Sequence, residues 1–158
     1  MEDTISQAKA EFTRAKDRLA HVLTVMPDDK INWSPSPTAR TPIQQVGHGA
    51  ASTTFIAGLL AGKALPWADF VEAITSARRA ETSYTSREQV LGLLEQSSTD
   101  YLAWLDTLTP EQVASTVTMP FGPMPMAIGI TLPADHLRSH TAQIDYIQTI
   151  YGDLDWHM

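Results

Sequence analysis

The sequence predicts an all-α protein, a four-helix bundle with long crossover connections, and three observations carry that expectation. Four stretches repeat apolar residues at steps of three and four. Thr/Ser-x-x-Glu/Gln capping patterns stand directly before two of them. The segment richest in β-formers, residues 113–130, is broken by prolines and glycines and suits an irregular connection or short hairpin. Each apolar stripe must be buried against another, and a bundle does this most economically.

In the first stretch, Ile5, Ala8, Phe12, Ala15, Leu19, Val22 and Met26 form one stripe, which Pro27-Asp28-Asp29 ends. A loop, KINWSPSPTAR, leads to Thr41-Pro42-Ile43-Gln44, where Thr can cap, Pro suits the first turn and Gln completes a capping box. The second helix runs to about Gly62. Its Ala50, Ala51, Phe55, Ile56, Leu59 and Leu60 spread around the circumference, as in a helix covered on more than one side, one of which can face a partner subunit. The connection that follows is long for a plain loop and predicts a short helix from about Asp69 to Arg79.

Thr85-x-x-Glu88 and Ser86-x-x-Gln89 open the next helix, whose Val90, Leu91, Leu94, Ser97, Tyr101, Trp104, Leu105 and Leu108 keep helical spacing until Thr109-Pro110. The proline- and methionine-bearing stretch near residue 120 is expected to pack over a bundle end. A last helix spans about Leu132 to Tyr151, with Gly152 placed to end it. No repeat or composition shift divides the chain, so residues 1–158 are expected to form a single domain.

Composition narrows the chemistry. The chain has no cysteine, which excludes disulfides, Cys-based zinc sites and a protein thiol nucleophile; a metal would have to be held by His, Asp or Glu. Eighteen acidic and eleven basic residues leave a formal charge of −7, with no basic cluster beyond Ala77-Arg78-Arg79, so no nucleic-acid partner is expected. The start, MEDTISQAKAEF, lacks the charged and apolar regions of a signal peptide, and no apolar run approaches the roughly 18 residues of a membrane span. A cytoplasmic protein with no membrane partner is expected.

The residues that invite a chemical reading lie in DHLRSHTAQI, residues 135–144. His136 and His140 are four apart on a helix, so their Cβ atoms stand roughly 5–6 Å apart and both imidazoles can reach one ion. They share their face with Gln143, Ile144, Ile147 and Tyr151, which turns them toward the bundle interior. Two buried imidazoles need partners, and a cation satisfies both, although the pair alone is a weak motif that two core polar residues also explain. His48 offers a third ligand. It stands among Gly47, Gly49, Ala50 and Ala51, a small-residue setting that either a cavity or close helix packing would explain.

Taken together, an amphipathic first helix, the loop INWSPSPTARTPIQQVGHGA and a final helix bearing H-x-x-x-H resemble the DinB-like superfamily of bacterial four-helix bundles, over nearly the whole chain. Trp33-Ser34-Pro35 and Pro42 also fit. The resemblance implies that His48, His136 and His140 together bind one divalent metal ion, zinc or nickel in the first place and iron as another choice. The small residues around His48 depart from the larger aliphatic neighbours expected in the family, which bears on pocket shape.

Three neutral imidazoles leave coordination positions open, as in catalytic sites. An ion so held can bring the pKa of bound water to about 7 or deprotonate a thiol. The resemblance therefore implies a metal-dependent enzyme acting on a small-molecule substrate, either a thiol-dependent S-transferase using a low-molecular-weight thiol or a hydrolase. The alternative is a non-enzymatic dimeric metal-binding or stress-response scaffold. A homodimer is expected in either case, from the all-round apolar second helix and the aromatic tail at Trp156.

The remaining polar candidates have blander readings. Asp135, Asp145 and Gln44 are near the ligands in sequence, but the two aspartates are expected to be solvated. His21 is expected at the surface, and His157 unordered unless a neighbouring subunit holds it. Trp67, Trp104 and Trp156 are read as packing or interface residues.

Overall fold

A computed structural model of the chain describes residues 3–65 and 67–157. Four long helices, α1 (Thr4–Val25), α2 (Pro42–Leu60), α4 (Arg87–Leu105) and α7 (Leu132–Ile150), form the bundle. Between them lie α3 (Phe70–Glu81), the short α5 (Pro110–Val113), a hairpin of β1 (Thr116–Met119) and β2 (Gly122–Pro125), and the short α6 (Met126–Gly129).

The helix starts follow their caps. Asp3 accepts from the Ser6 N–H at the start of α1, and Thr41 and Gln44 make the reciprocal capping box of α2. Of the two overlapping boxes before α4, Ser86 is the N-cap, accepting from the Gln89 N–H, while the Gln89 side chain reaches back to the Thr85 N–H. Thr109-Pro110 does more than close α4. That helix ends at Leu105, and Thr109 forms a second capping box with Gln112 that opens α5. Helix α2 stops two residues short of Gly62, whose φ of +75° begins the turn away, and Gly152, at φ +97°, ends α7 as its position suggests.

Each long helix lies against two others: α2 against α4 and α7, and α1 against the same two from the opposite side. Consecutive helices α1 and α2 are therefore diagonal partners, and the chain needs the long 26–41 connection to pass between them. The stripe of α1 is buried at Ala8, Phe12, Ala15, Leu19, Val22 and Leu23. Phe12 meets the Tyr101 ring edge-on at 4.7 Å, and the Tyr101 hydroxyl donates to the Ile130 carbonyl, tying α1 and α4 to the start of α7. Arg87, the first residue of α4, donates to the Leu23 and Met26 carbonyls and so satisfies the open end of α1.

Part of the all-round apolar character of α2 has its cause inside the chain, because α3 and β1 also pack on it beside α4 and α7, while Phe55, Ile56 and Leu59 stay half-buried. The hairpin pairs Val117 with Met124 and Met119 with Gly122, and buries Met119 in the common core with Met126 of α6. Its stretch thus packs on the bundle, as expected. Phe55 of α2 holds Trp67 and Phe70 at 5.9 and 6.3 Å, and Trp104 stacks on Tyr101, so two of the three tryptophans singled out pack within the chain; Trp156 is 81% exposed.

The small residues beside His48 serve close packing. A Cβ on Gly47 would stand 2.3 Å from the Tyr84 ring, and one on Gly49 would stand 2.9 Å from Leu137 Cδ2 and 3.2 Å from Leu19 Cδ2. Gly47→Ala must therefore displace the Tyr84 ring and is expected to destabilise the protein by about 1–3 kcal/mol. Gly92, on an open face of α4 with nothing within 4 Å, is the control. Gly92→Ala should stabilise by roughly 0.5–1 kcal/mol through helix propensity. Urea unfolding of both variants checks the contrast.

Candidate metal centre

His48 lies in the first half of α2, and His136 and His140 lie one turn apart on α7, which runs beside α2. Because Gly49 lets α2 approach Leu137, the two helices come close enough for the three rings to meet. Ring centroids are 4.5 Å apart for His136 and His140, 4.9 Å for His48 and His140, and 5.1 Å for His48 and His136. The three offer nitrogens that all lie within 4.8 Å of one another and could hold a metal ion. Burial agrees with the facing read from the sequence: His140 is buried, His48 and His136 half-buried, and Ile144 and Ile147 buried on the same stripe.

Hydrogen bonding decides what each imidazole presents. His140 Nδ1 stands 2.6 Å from Gln45 Oε1 and 2.8 Å from Gln143 Oε1. Amide oxygens only accept, so the ring hydrogen is on Nδ1 and the Nε2 lone pair points the other way. There it meets His136 Nε2 at 3.0 Å. Two nitrogens bound to one ion at about 2.0–2.1 Å stand about 2.8–3.4 Å apart for angles between about 90° and 109°, so this pair already has the separation a shared cation needs. His48 Nε2 faces the Ser52 hydroxyl at 3.2 Å, and its Nδ1 lies 2.8 Å from Glu81 Oε1. The donor set of three imidazoles fits a divalent transition metal better than magnesium or calcium.

Around this group stands a charged pair that sequence reasoning missed. Glu81 is 3% exposed, and Arg40 grips it with both arms, Nε to Oε2 at 2.7 Å and Nη2 to Oε1 at 3.0 Å. Arg78 lies further out, 3.6 Å from the same carboxylate. The helix expected to end near Arg79 continues to Glu81, and this last turn carries the carboxylate. Arg40 stood inside a stretch read only as loop. A buried acid cannot be told from a solvated one by spacing alone, so no sequence signal marked Glu81.

The other polar candidates divide clearly. Gln44 serves the α2 cap, and its neighbour Gln45 is the residue that reaches His140. Asp135 is exposed and pairs with Arg138, and Asp145 pairs with Arg18 at 3.2 Å, so neither aspartate joins the imidazole group. His21 is exposed, as expected. His157 Nε2 lies 2.9 Å from Asp153 Oδ2, a contact within the chain.

Burial pushes the pKa of His48 down to about 4, with the Arg40 charge adding to the shift against the opposing pull of Glu81. Burial likewise lowers His140 to about 3, reinforced by His136 and His48, and lowers His136, with Arg40 as the second cause. All three are neutral at pH 7, with lone pairs available to a cation. The effect on stability has a definite sign. Above the unfolded value of about 6.5 neither state is protonated and these groups give no pH dependence; below it the unfolded chain takes up protons that the folded chain refuses. Stability contributed by keeping these rings neutral is therefore lost as pH falls from about 6.5 toward 4. The urea midpoint should hold level from pH 8 to 7 and decline between about pH 6.5 and 5, where most carboxylates are still ionised. His140→Gln should flatten that decline.

Comparison with known proteins places this arrangement. The sequence profile of the DinB superfamily matches residues 11–144, a span that includes all three histidines. No curated protein sequence matches. Among solved structures, YfiT from Bacillus subtilis, described as a probable metal-dependent hydrolase with an unusual four-helix bundle topology, aligns with a TM-score of 0.72 at 20% identity, over 94% of this chain and 87% of that one. The sibling lethal factor precursor DfsB aligns with a TM-score of 0.73 at 19% identity, over 96% and 99%. The mycothiol-dependent maleylpyruvate isomerase aligns with a TM-score of 0.72 at 10% identity, over 91% of this chain and 63% of that one. These likenesses are of fold. With residues 11–144 of its 158 matched by the family profile, the chain belongs to the DinB superfamily.

Proposed function

We propose that the chain binds one divalent metal ion, zinc or nickel, through His48, His136 and His140, and that it is a metal-dependent enzyme transferring a small electrophilic substrate to a low-molecular-weight thiol. The observation that carries the reading is the 3.0 Å approach of His136 Nε2 to His140 Nε2, with the other nitrogen of His140 committed to Gln45 and Gln143. Without an ion His136 Nε2–H can donate to His140 Nε2, and at the same spacing the two nitrogens can share a cation. Two fold neighbours, one described as a probable metal-dependent hydrolase and the other a mycothiol-dependent isomerase, are consistent with metal and thiol chemistry on this scaffold.

When bound, the ion supplies Lewis acidity that lowers the pKa of a coordinated thiol or water. The protein's own residues do the positioning. Ser52, one turn beyond His48, places a hydroxyl 3.2 Å from His48 Nε2 and can hydrogen-bond a substrate atom arriving there. Gln45 and Gln143 hold the ring of buried His140 in place. Hydrolysis is the second reading: among the described residues no carboxylate joins the imidazole group and Glu81 is already engaged by Arg40, so water would depend on the ion alone for activation. The chain has no cysteine, so the thiol must arrive as a substrate.

Elemental analysis of untagged protein is expected to find about one ion per chain, lost in His136→Ala with the helical circular dichroism retained. Loaded protein should then conjugate a low-molecular-weight thiol to a chromogenic electrophile, and His136→Ala should reduce that rate to background. Full metal occupancy with no turnover across a panel of thiols and esters would sink the enzyme reading and leave the binding scaffold.

The same reading includes a homodimer in the cytoplasm. Its support is an apolar surface at the end of α7 and the tail, where Tyr146, Ile150, Leu154 and Trp156 are 69%, 47%, 82% and 81% exposed. Light scattering at micromolar concentration should give twice the chain mass, and the combined Leu154→Ser and Trp156→Ser variant should give one; a monomeric parent protein would refute the dimer.

A further inference from the structure

The position of Glu81 is not explained by packing. Helix α3 buries only Ala73 and Glu81, while its Phe70, Val71 and Ile74 are 41%, 71% and 51% exposed. A helix docked for its apolar face would bury those three and leave the acid in water. Instead the buried residue at its C-terminus is a carboxylate, where helix-end carbonyls make a negative charge less favourable still. Something at its destination must hold it.

Two groups do so. The Arg40 guanidinium meets both carboxylate oxygens in a two-pronged contact, which offsets the cost of burying the charge and fixes the plane of the carboxylate. Oε1 then stands 2.8 Å from His48 Nδ1. A carboxylate only accepts, so this contact requires the imidazole hydrogen on Nδ1, which leaves the lone pair on Nε2, the nitrogen left to face an ion, with the Ser52 hydroxyl 3.2 Å from it. Arg40 Nη2, 3.4 Å from the same Nδ1, cannot donate to a nitrogen that already carries hydrogen; the shorter contact to Glu81 decides the tautomer. Arg40 and Glu81 come from the two ends of the site, one just before α2 and the other at the last residue of α3.

We propose that Glu81 is a positioning residue of the metal centre, which orients His48 and holds it in the tautomer that presents Nε2 to the ion, and that Arg40 is the clamp that makes a buried carboxylate tenable there. This rests on the three-histidine reading, which it completes: His140 is oriented by two amides, and His48 by a carboxylate. The assignment gives α3 its purpose, to deliver that carboxylate across α2. Partners of this kind typically change metal affinity by about 10–100-fold when removed.

The test uses three forms of the full chain. Long-range 1H–15N spectra of the metal-free protein report which nitrogen of His48 carries hydrogen, and competition against a chromophoric chelator gives the zinc affinity. In the parent protein His48 should be in the Nδ1–H form. Arg40→Leu combined with Glu81→Leu removes both charges together, so that no buried guanidinium is left unpaired if the single Glu81→Leu variant fails to fold. In it His48 should populate both tautomers, and zinc should bind about 10–100-fold more weakly. Glu81→Gln, which keeps an accepting oxygen, should retain the tautomer and recover much of that affinity.

A His48 tautomer unchanged in the double variant would overturn the proposal, as would an Nε2–H form in the parent protein or an unchanged zinc affinity in a folded double variant. Failure of the three-histidine reading looks different: the parent protein would bind no zinc while His48 still showed the Glu81-dependent tautomer, and Glu81 would then orient a core histidine, overturning its role toward a metal.

Discussion

Three imidazoles gathered between α2 and α7, one buried and two half-buried, impose the constraint on which the rest of this structure depends. None can take a proton there without bringing a charge against low-dielectric walls and against the other rings, so each must stay neutral, and His48 and His140 direct their hydrogens away from the centre. The surrounding residues follow from that requirement. Gln45 and Gln143 receive the hydrogen of His140, and Glu81 receives that of His48. Gly49 lets α2 reach α7, and Tyr84 lies flat on the backbone at Gly47, closing the space beside the ring that follows it. The bundle supplies position, and its polar residues supply the orientation of each lone pair.

Charge is distributed with the same economy. The chain is acidic overall, yet the one buried carboxylate near the imidazoles is matched by Arg40, with Arg78 behind it. Asp135 and Asp145 on α7 pair with Arg138 and Arg18 instead of turning inward. An ion placed at this centre would thus meet neutral nitrogens and a compensated acid, an environment that leaves much of its charge to act on whatever it binds.

Much of this was legible in the sequence, and the division is physical. Local signals read well: the stripes of α1 and α4, the box at Thr41 and Gln44, the glycine at 152 and the broken segment that became a hairpin all depend on neighbours within a turn or two. The two histidines of α7 and the one of α2 were found because ligand pairs on a helix obey spacing, and because their order along the chain resembled a family pattern. Long-range polar pairing left no such trace. Arg40 and Glu81 are 41 residues apart and lie in the segments with the weakest periodicity. Likewise the glycines beside His48 fitted two explanations until the Tyr84 and Leu137 side chains were placed against them. The apolar circumference of α2 suggested a partner subunit, and elements of the same chain cover part of it, leaving Phe55, Ile56 and Leu59 half-buried.

The crossover between α2 and α4 carries one further implication, for how much its length can change. Its first part, from Ala61 to Asp69, is mostly exposed among its described residues and holds no group of the centre, so extra residues there would cost only the slow logarithmic term of a longer loop. Its last part is different. Between Glu81, which grips Arg40, and Tyr84, which rests on Gly47, the chain has only two residues with which to join two fixed points, one just before α2 and one on it. An insertion there would separate the carboxylate from the ring packing that seats it. Members of a lineage sharing this centre would then vary in length ahead of α3 and keep a constant count behind it, a geometric signature of the site that no single histidine reveals.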